Sequence, residues 1–498
     1  MNLFLKIDKL GKNINNKIDK YKELILVLML FLFFIIYIML NRSVEFYGDG
    51  AGYYKRIDYF INDGKFALVN YRGVIRGYAW PLLLTPIKLL SEITNISHFL
   101  IFRIALAIFS SGFFAILIPR FVEKAFQIKI NFLQRLFFCI MVFYFWAPMF
   151  LHPLADLPAF MFNIAGLYLL YSAYIELRND KKQKSIKRYI LIFFAGMFIA
   201  LTSVIRPVYQ LGIYMSVILI MVLSIKKKDK KWPIMAMSFI IGAAIAFAPQ
   251  VLINVTRHGI FSPYPQGQLA LGRSLLILQL KEGLRLNEAI TYIGSQEITN
   301  RVFIDSESSV VKKVQDITFF EFPNIIGNTL LDRIGEQNIT TFFGYLVNVA
   351  KYPFEFLALI GTHFFAGMDL NFPDIYLTEM KPAGKLFSLL NLSAIFLACR
   401  YTIKKRWFKE DWLIKTIMFT VIITPCLIAL ISAMEERFMI PLHMILYMLL
   451  AFNPEIKNLF TTKHKFNAGI ILIYLIYIAL AFSFSAMLLS LGGINMTF

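Results

Sequence analysis

Long apolar runs separated by short basic loops dominate this 498-residue chain and restrict it to one broad class. Runs of about 17–25 apolar residues match the hydrocarbon thickness of a bilayer. Hydrophobic residues make up 58% of the sequence, with 50 Phe and 24 Tyr among them, and mean hydropathy is +0.63. A soluble protein has no interior large enough to hide that much apolar surface. The formal charge of +20 would point to nucleic acid in a soluble chain. Here Lys and Arg gather in short loops between apolar runs, the pattern of cytoplasmic loops, so no nucleic-acid partner is expected. The expected fold class is an all-α polytopic membrane helix bundle.

Loop charge sets the topology. A basic leader, 1–23, carries Lys6, Lys9, Lys12, Lys17, Lys20 and Lys22. The apolar run after it is too long for a signal peptide and lacks a small-residue cleavage site, so it reads as a first span, 24–40, with its start inside. Further spans are expected at 98–118, 136–150, 159–175, 189–204, 208–225 and 233–253, completing a seven-helix module over 24–253. Basic loops follow the second, fourth and sixth spans (Arg120 and Lys124; Arg178 to Arg188; Lys226 to Lys231). The intervening loops, including a long one at 41–97, are then external. Within 41–97, residues 52–62 read as a short surface helix. The apolar stretch 80–93, interrupted by Pro81, Pro86 and Lys88, reads as an interfacial helix. Region 254–385 is polar and mixed, and is expected to be external. Its apolar part, 342–367, is broken by Lys351 and Pro353 and either spans or lies at the interface. A C-terminal four-helix region, 386–498, adds spans at 386–403, 412–431, 438–452 and 469–489. The total is about 11 spans, N-terminus inside and C-terminus outside, in the cytoplasmic (plasma) membrane. Cys139, Cys399 and Cys426 all lie in or beside apolar runs. Their spacing fits neither a zinc site nor a disulfide framework, so they are expected as small buried residues.

Ionisable side chains at membrane level are costly and tend to have a task. Asp49 stands between Gly48 and Gly50 in the first external loop, followed by Tyr53, Lys55, Arg72 and Arg76. It is either a turn residue or a site acid with room for a substrate beside it. Asp156 lies in HPLADLPAF, where the second external loop turns, and either caps the next helix or joins a site; His152 beside it is a polar anchor or a substrate contact. Arg206 precedes Pro207 at a helix end and either snorkels or holds phosphate. Glu435, Glu436 and Arg437 crowd the short loop SAMEER, a solvated turn or a further piece of the site. Carboxylates can activate a hydroxyl or hold a divalent metal, and arginines can hold a phosphate. On one face of a bundle they make equipment for transfer from a lipid-phosphate donor.

The stretches YGDGAGYYKRIDYFINDGKF with RGYAWPLLLTP, HPLADLPAF, TSVIRPV and EERFMIPL together resemble the GT-C superfamily of membrane glycosyltransferases. That group includes the protein O-mannosyltransferases and the lipid A aminoarabinose transferase. Asp49, Tyr53 and Pro81 match the family's first external loop, Asp156 the acid of its second, and Arg206 and the Glu436-Arg437 pair its later motifs. The resemblance implies transfer of a sugar from a polyprenyl-phosphate or diphosphate donor to the hydroxyl of a glycan, lipid or protein acceptor, with inversion, at the external face. It implies catalytic roles for Asp49, as base, and Asp156. It implies donor-phosphate binding by Arg206, with Arg72, Arg76 and Lys55 as further candidates, and substrate contacts from Tyr53, His152, Glu436 and Arg437. No second acid stands beside Asp49, so a metal, Mg or Mn, stays open, and no other cofactor is expected. The rival readings are an O-antigen-type polymerase or ligase, whose key residues sit in late external loops, and a lipid or solute transporter, which would show paired repeats and mid-membrane charges.

Overall fold

The computed structural model describes residues 2–41, 46, 48–62, 64–179, 186–226, 230–272, 274–293, 317–371, 376–377, 384–405, 412–432, 434–453 and 468–491. The inner loops expected at 181–184, 406 and 457–465 lie outside them.

The first helix, α1 (Asn2–Leu40), runs unbroken from the basic leader through the first span. Its apolar residues divide cleanly. Leu26, Leu30, Phe34 and Ile38, four residues apart, are buried, while Leu24, Leu28, Leu32 and Ile36 are exposed. Both faces are apolar, as they must be when one meets protein and the other lipid. After α2 (Gly48–Lys55), a 3-10 turn (Arg56–Phe60) and a small hairpin of β1 (Ile61–Asn62) and β2 (Lys65–Phe66), the 41–97 segment forms α3 (Ala79–Thr94). The second span is α4 (His98–Gly112), continued through a π turn into α5 (Ile118–Phe126). It therefore extends past the expected boundary and carries Arg120 and Lys124 on its own last turns. Arg120 and the buried Arg135 both reach Glu23 on α1, at 2.5 and 3.0 Å, and Arg135 also meets Glu123 at 3.0 Å. The early spans are thus tied together at the Glu23 end of α1.

Then come α6 (Phe132–Trp146), α7 (Asp156–Asn179), α8 (Ile186–Ile205), α9 (Gln210–Lys226) and α10 (Trp232–His258). Helix α8 packs against both α7 and α10. The middle region contains α11 (Gly267–Leu271), α12 (Leu275–Arg285), α13 (Ile325–Ile334), α14 (Phe342–Lys351) and α15 (Pro353–Met368). The break expected at Lys351 and Pro353 is real. The chain stops one helix at Lys351 and restarts the next with Pro353 in its first turn, where a missing N–H costs nothing. The bundle closes with α16 (Gly384–Lys405), α17 (Trp412–Ala429), α18 (Ile440–Ala451) and α19 (Ala468–Leu491).

Nine helices among the described residues are long and apolar enough to cross a membrane, fewer than the eleven spans expected. Helix α18, at 12 residues, falls short of the ~20 a bilayer requires. Helix α16 is interrupted by Ser388, Asn391, Ser393 and Arg400. The fold is predominantly helical, as expected, with a few short strands. Besides the hairpin, β3 (Leu286–Ile293) pairs antiparallel with β4 (Ile317–Pro323) and parallel with β5 (Tyr376–Leu377). The sequences LNEAITYI and ITFFEFP are rich in β-branched and aromatic residues, which pack well on a pleated sheet. Cys139 and Cys426 are buried as expected; Cys399 is on an exposed face.

Candidate functional site

Two glycines bring the segments expected to be external together. A Cβ on Gly50, in α2, would stand 3.0 Å from Pro153 Cδ and 3.4 Å from His152 Cβ, so the first loop lies directly on the second. A Cβ on Gly77 would stand 2.2 Å from the Val204 carbonyl, so the Arg76 segment lies on the last turn of α8, beside Arg206. Trp80 Nε1 donates to the Pro153 carbonyl at 2.8 Å. The buried Tyr71 hydroxyl donates to the carbonyls of Arg76 and Gly77 at 3.0 and 3.1 Å. From α10, Gln250 Oε1 accepts the Tyr78 N–H at 3.2 Å. The Arg76 segment is thereby held from the 71–78 turn itself and from α8 and α10.

At this junction six charged side chains meet. Asp49 Oδ1 pairs with Arg76, and its Oδ2 accepts from Arg437 Nη2 at 2.7 Å. Asp156 Oδ1 pairs with Arg206, and its Oδ2 lies 3.9 Å from Arg437 Nη1. Arg437, with its side chain 8% exposed, also meets Glu435 through Nε at 2.7 Å. Arg437 therefore stands between the two aspartates. Phe438 faces two of the cations, its ring centre 4.9 Å from the Arg206 guanidinium carbon and 5.5 Å from that of Arg437. Arg76 donates from Nη1 to the Tyr53 hydroxyl at 3.1 Å. Charges this buried are stable only when paired and hydrogen-bonded.

The junction opens on a cavity of about 180 Å3. Its wall carries Arg76, Arg206, Arg437 and Asp156, with Tyr53, Tyr209 and Gln279 as further polar groups. Apolar residues from three places complete it: Val208, Leu275 of α12, and Pro425 with Ile440 and Pro441. The wall carries three guanidinium groups and one carboxylate; Asp49 and Glu435 balance the other two charges from off the wall. Asp49 is not among the lining residues; both its oxygens are engaged by guanidinium groups that are.

Tyr53, Arg76, Asp156, Arg206 and Arg437 thus converge, and Asp49 joins them through its partners. The other candidates sit elsewhere. Lys55 and Arg72 are exposed and do not line the cavity, because α2 and the 71–78 turn direct them outward. His152 is buried against Gly50. Burial, with Arg103 nearby, pushes its imidazole down to about 3, so it is a neutral packing group at ordinary pH. Glu436 Oε1 accepts the Asn371 N–H at 3.1 Å. That bond ties the Arg437 turn to a buried cluster in which Asn371 donates to Asp369 at 2.9 Å and accepts from Ser485 at 3.3 Å. Phe438, Tyr209 and Leu275 were not singled out in the sequence. Only Phe438, within EERFMIPL, carried any signal there.

Among the described residues no three His, Cys, Asp or Glu side chains converge as a metal site would require. Asp156 has guanidinium groups, not a second carboxylate, as its nearest ionic neighbours.

Burial opposes ionisation of Asp49, but Arg76 and Arg437 outweigh it and hold the carboxyl well below the usual range. A lowered folded value gives stability that is present above the unfolded carboxylate value of about 3.9 and lost as pH falls through the folded one. Melting temperature should therefore fall on acidification below about pH 4. Asp49→Asn should be less stable than the parent at neutral pH and should lack that part of the acid slope, measured by thermal unfolding in detergent.

No family model, no curated protein and no solved structure matches the chain.

Proposed function

We propose that this chain is a membrane glycosyltransferase that moves a sugar from a polyprenyl-phosphate donor, or its diphosphate, to an acceptor hydroxyl. The observation that carries the reading is the convergence of Arg76, Arg206 and Arg437 on one cavity whose remaining wall is largely apolar. Guanidinium forks suit phosphate oxygens bidentately, and the apolar wall suits the first units of a lipid. Such a wall stabilises negative charge as it develops on a phosphate leaving group, and prepositioned charge of this kind is commonly the largest contribution to catalysis. One of the two carboxylates, Asp49 or Asp156, accepts the proton of the attacking hydroxyl, which opens the sugar–phosphate bond with inversion. The resemblance of the motifs carrying these residues to GT-C enzymes agrees with that chemistry.

The test is binding of undecaprenyl phosphate to the protein in nanodiscs, compared with undecaprenol. The phosphate should bind at least about tenfold more tightly, a difference of about 1.4 kcal/mol. Its affinity should fall as salt is raised, and Arg206→Met should remove most of the difference. Equal affinity for the alcohol and the phosphate would overturn the reading.

A further inference from the structure

Asp49 and Asp156 look equivalent in the sequence, each an acid in an external turn, but the structure does not treat them alike. Asp49 spends both oxygens on guanidinium groups, Oδ1 on Arg76 and Oδ2 on Arg437, and stands off the cavity wall. Asp156 is on the wall. Its side chain is 7% exposed. Its Oδ1 pairs with Arg206, while its Oδ2 is buried and accepts no hydrogen bond, Arg437 Nη1 being 3.9 Å away. A carboxylate oxygen buried without a donor costs free energy, about 1–3 kcal/mol or more, and a side chain that lines a cavity can relieve that cost on a ligand that brings the donor.

We infer that Asp156 Oδ2 is the docking point and proton acceptor for the substrate hydroxyl, and that Asp49 is a positioning residue that holds Arg76 and Arg437 toward the phosphate. The assignment rests on the transferase reading. The acceptor hydroxyl donates to Asp156 Oδ2 and its oxygen attacks the sugar carbon bearing the phosphate. As the new C–O bond forms, the bond from that carbon to the phosphate oxygen breaks and its electron pair leaves with the phosphate. The hydroxyl proton passes to Asp156, and Arg76, Arg206 and Arg437 receive the phosphate's added charge. The arrangement separates two tasks that one carboxylate cannot perform together: anchoring two cations through both oxygens, and presenting an oxygen to a neutral hydroxyl.

The experiment compares Asp156→Asn with Asp49→Asn in nanodiscs, each checked for monodispersity and thermal unfolding. Two readouts are used. The first is binding of undecaprenyl phosphate. The second is turnover of a set of synthetic undecaprenyl-phosphate hexoses and pentoses in excess azide, an anion that attacks carbon without giving up a proton and yields a glycosyl azide detected by mass. Asp156→Asn, which loosens Arg206 alone, should weaken undecaprenyl phosphate binding less than Asp49→Asn does and should lose transfer to hydroxyl acceptors, water included, by about 10²–10⁴-fold, the usual worth of a general base. Azide should restore product formation to it. Asp49→Asn should weaken undecaprenyl phosphate binding by about tenfold or more, and azide should not rescue it. Rescue of Asp49→Asn in place of Asp156→Asn, or equal loss of phosphate binding in both, would overturn the assignment while leaving the transferase reading intact. A parent protein that neither binds undecaprenyl phosphate nor turns over any donor would overturn both.

Discussion

Arg437→Met should abolish selective binding of undecaprenyl phosphate and lower thermal stability together. The side chain is nearly buried and meets Asp49, Asp156 and Glu435. Its removal leaves carboxylates facing one another in a site that excludes much of the solvent. Breaking a buried pair by deleting one partner costs about 3–5 kcal/mol. If half of that falls on the bound state, affinity drops by about tenfold to 100-fold. Arg437→Lys should recover little, because one ammonium cannot serve three separated carboxylates as a planar fork does. Arg72→Met, at an exposed position off the cavity, is the matched control and should change neither quantity. The measurements are nanodisc binding and thermal unfolding of all three variants. Unchanged binding in Arg437→Met would remove the central cation from the site.

Gly77→Val should produce a large loss without changing any charge. The first carbon it adds would fall 2.2 Å from the Val204 carbonyl oxygen, backbone against backbone, so neither side can yield by a rotamer change. Overpacking typically costs about 1–3 kcal/mol, and here the displaced segment carries Arg76. Both stability and phosphate binding should therefore fall. Gly112→Ala offers the contrast. It lies in α4 with nothing within 4 Å of the added carbon, and replacing a helical glycine by alanine gains about 0.5–1 kcal/mol. Melting temperatures moving in opposite directions for the two variants would verify the close approach at Gly77. A neutral Gly77→Val would show that the first external loop does not rest on α8.

Much of the frame was legible because bilayer thickness and loop charge are local signals. Seven consecutive apolar runs from α1 to α10 were readable from them, and the structure forms a helix at each. The strands β3 and β4 were not legible. Their residues mix polar and apolar types within a polar region, and their pairing joins segments far apart in the chain. The expected span count and the number of described helices long and apolar enough to cross differ where polarity and length act against one another, at α16 and α18. At the site, the sequence singled out Asp49, Asp156, Arg76, Arg206 and Arg437 but not their pairing. No spacing rule connects an acid in the first external loop to an arginine in the last. Lys55, Arg72 and Glu436 show the same limit from the other side. Residue type and loop position were suitable, yet the local turn or a rival hydrogen bond directs them elsewhere. The difference between the two aspartates was invisible in sequence, because it depends on which carboxylate oxygen lacks a donor.

The partners Asp49 and Arg437 are 388 residues apart. During synthesis the first acid leaves the ribosome long before its cation is made. A nascent chain halted anywhere short of the turn after α17 would hold an aspartate and Arg76 but no complete cradle. The ion-pair junction would then be complete only when the closing helices enter the bilayer and dock, and a partly inserted molecule would lack Arg437 between its two aspartates.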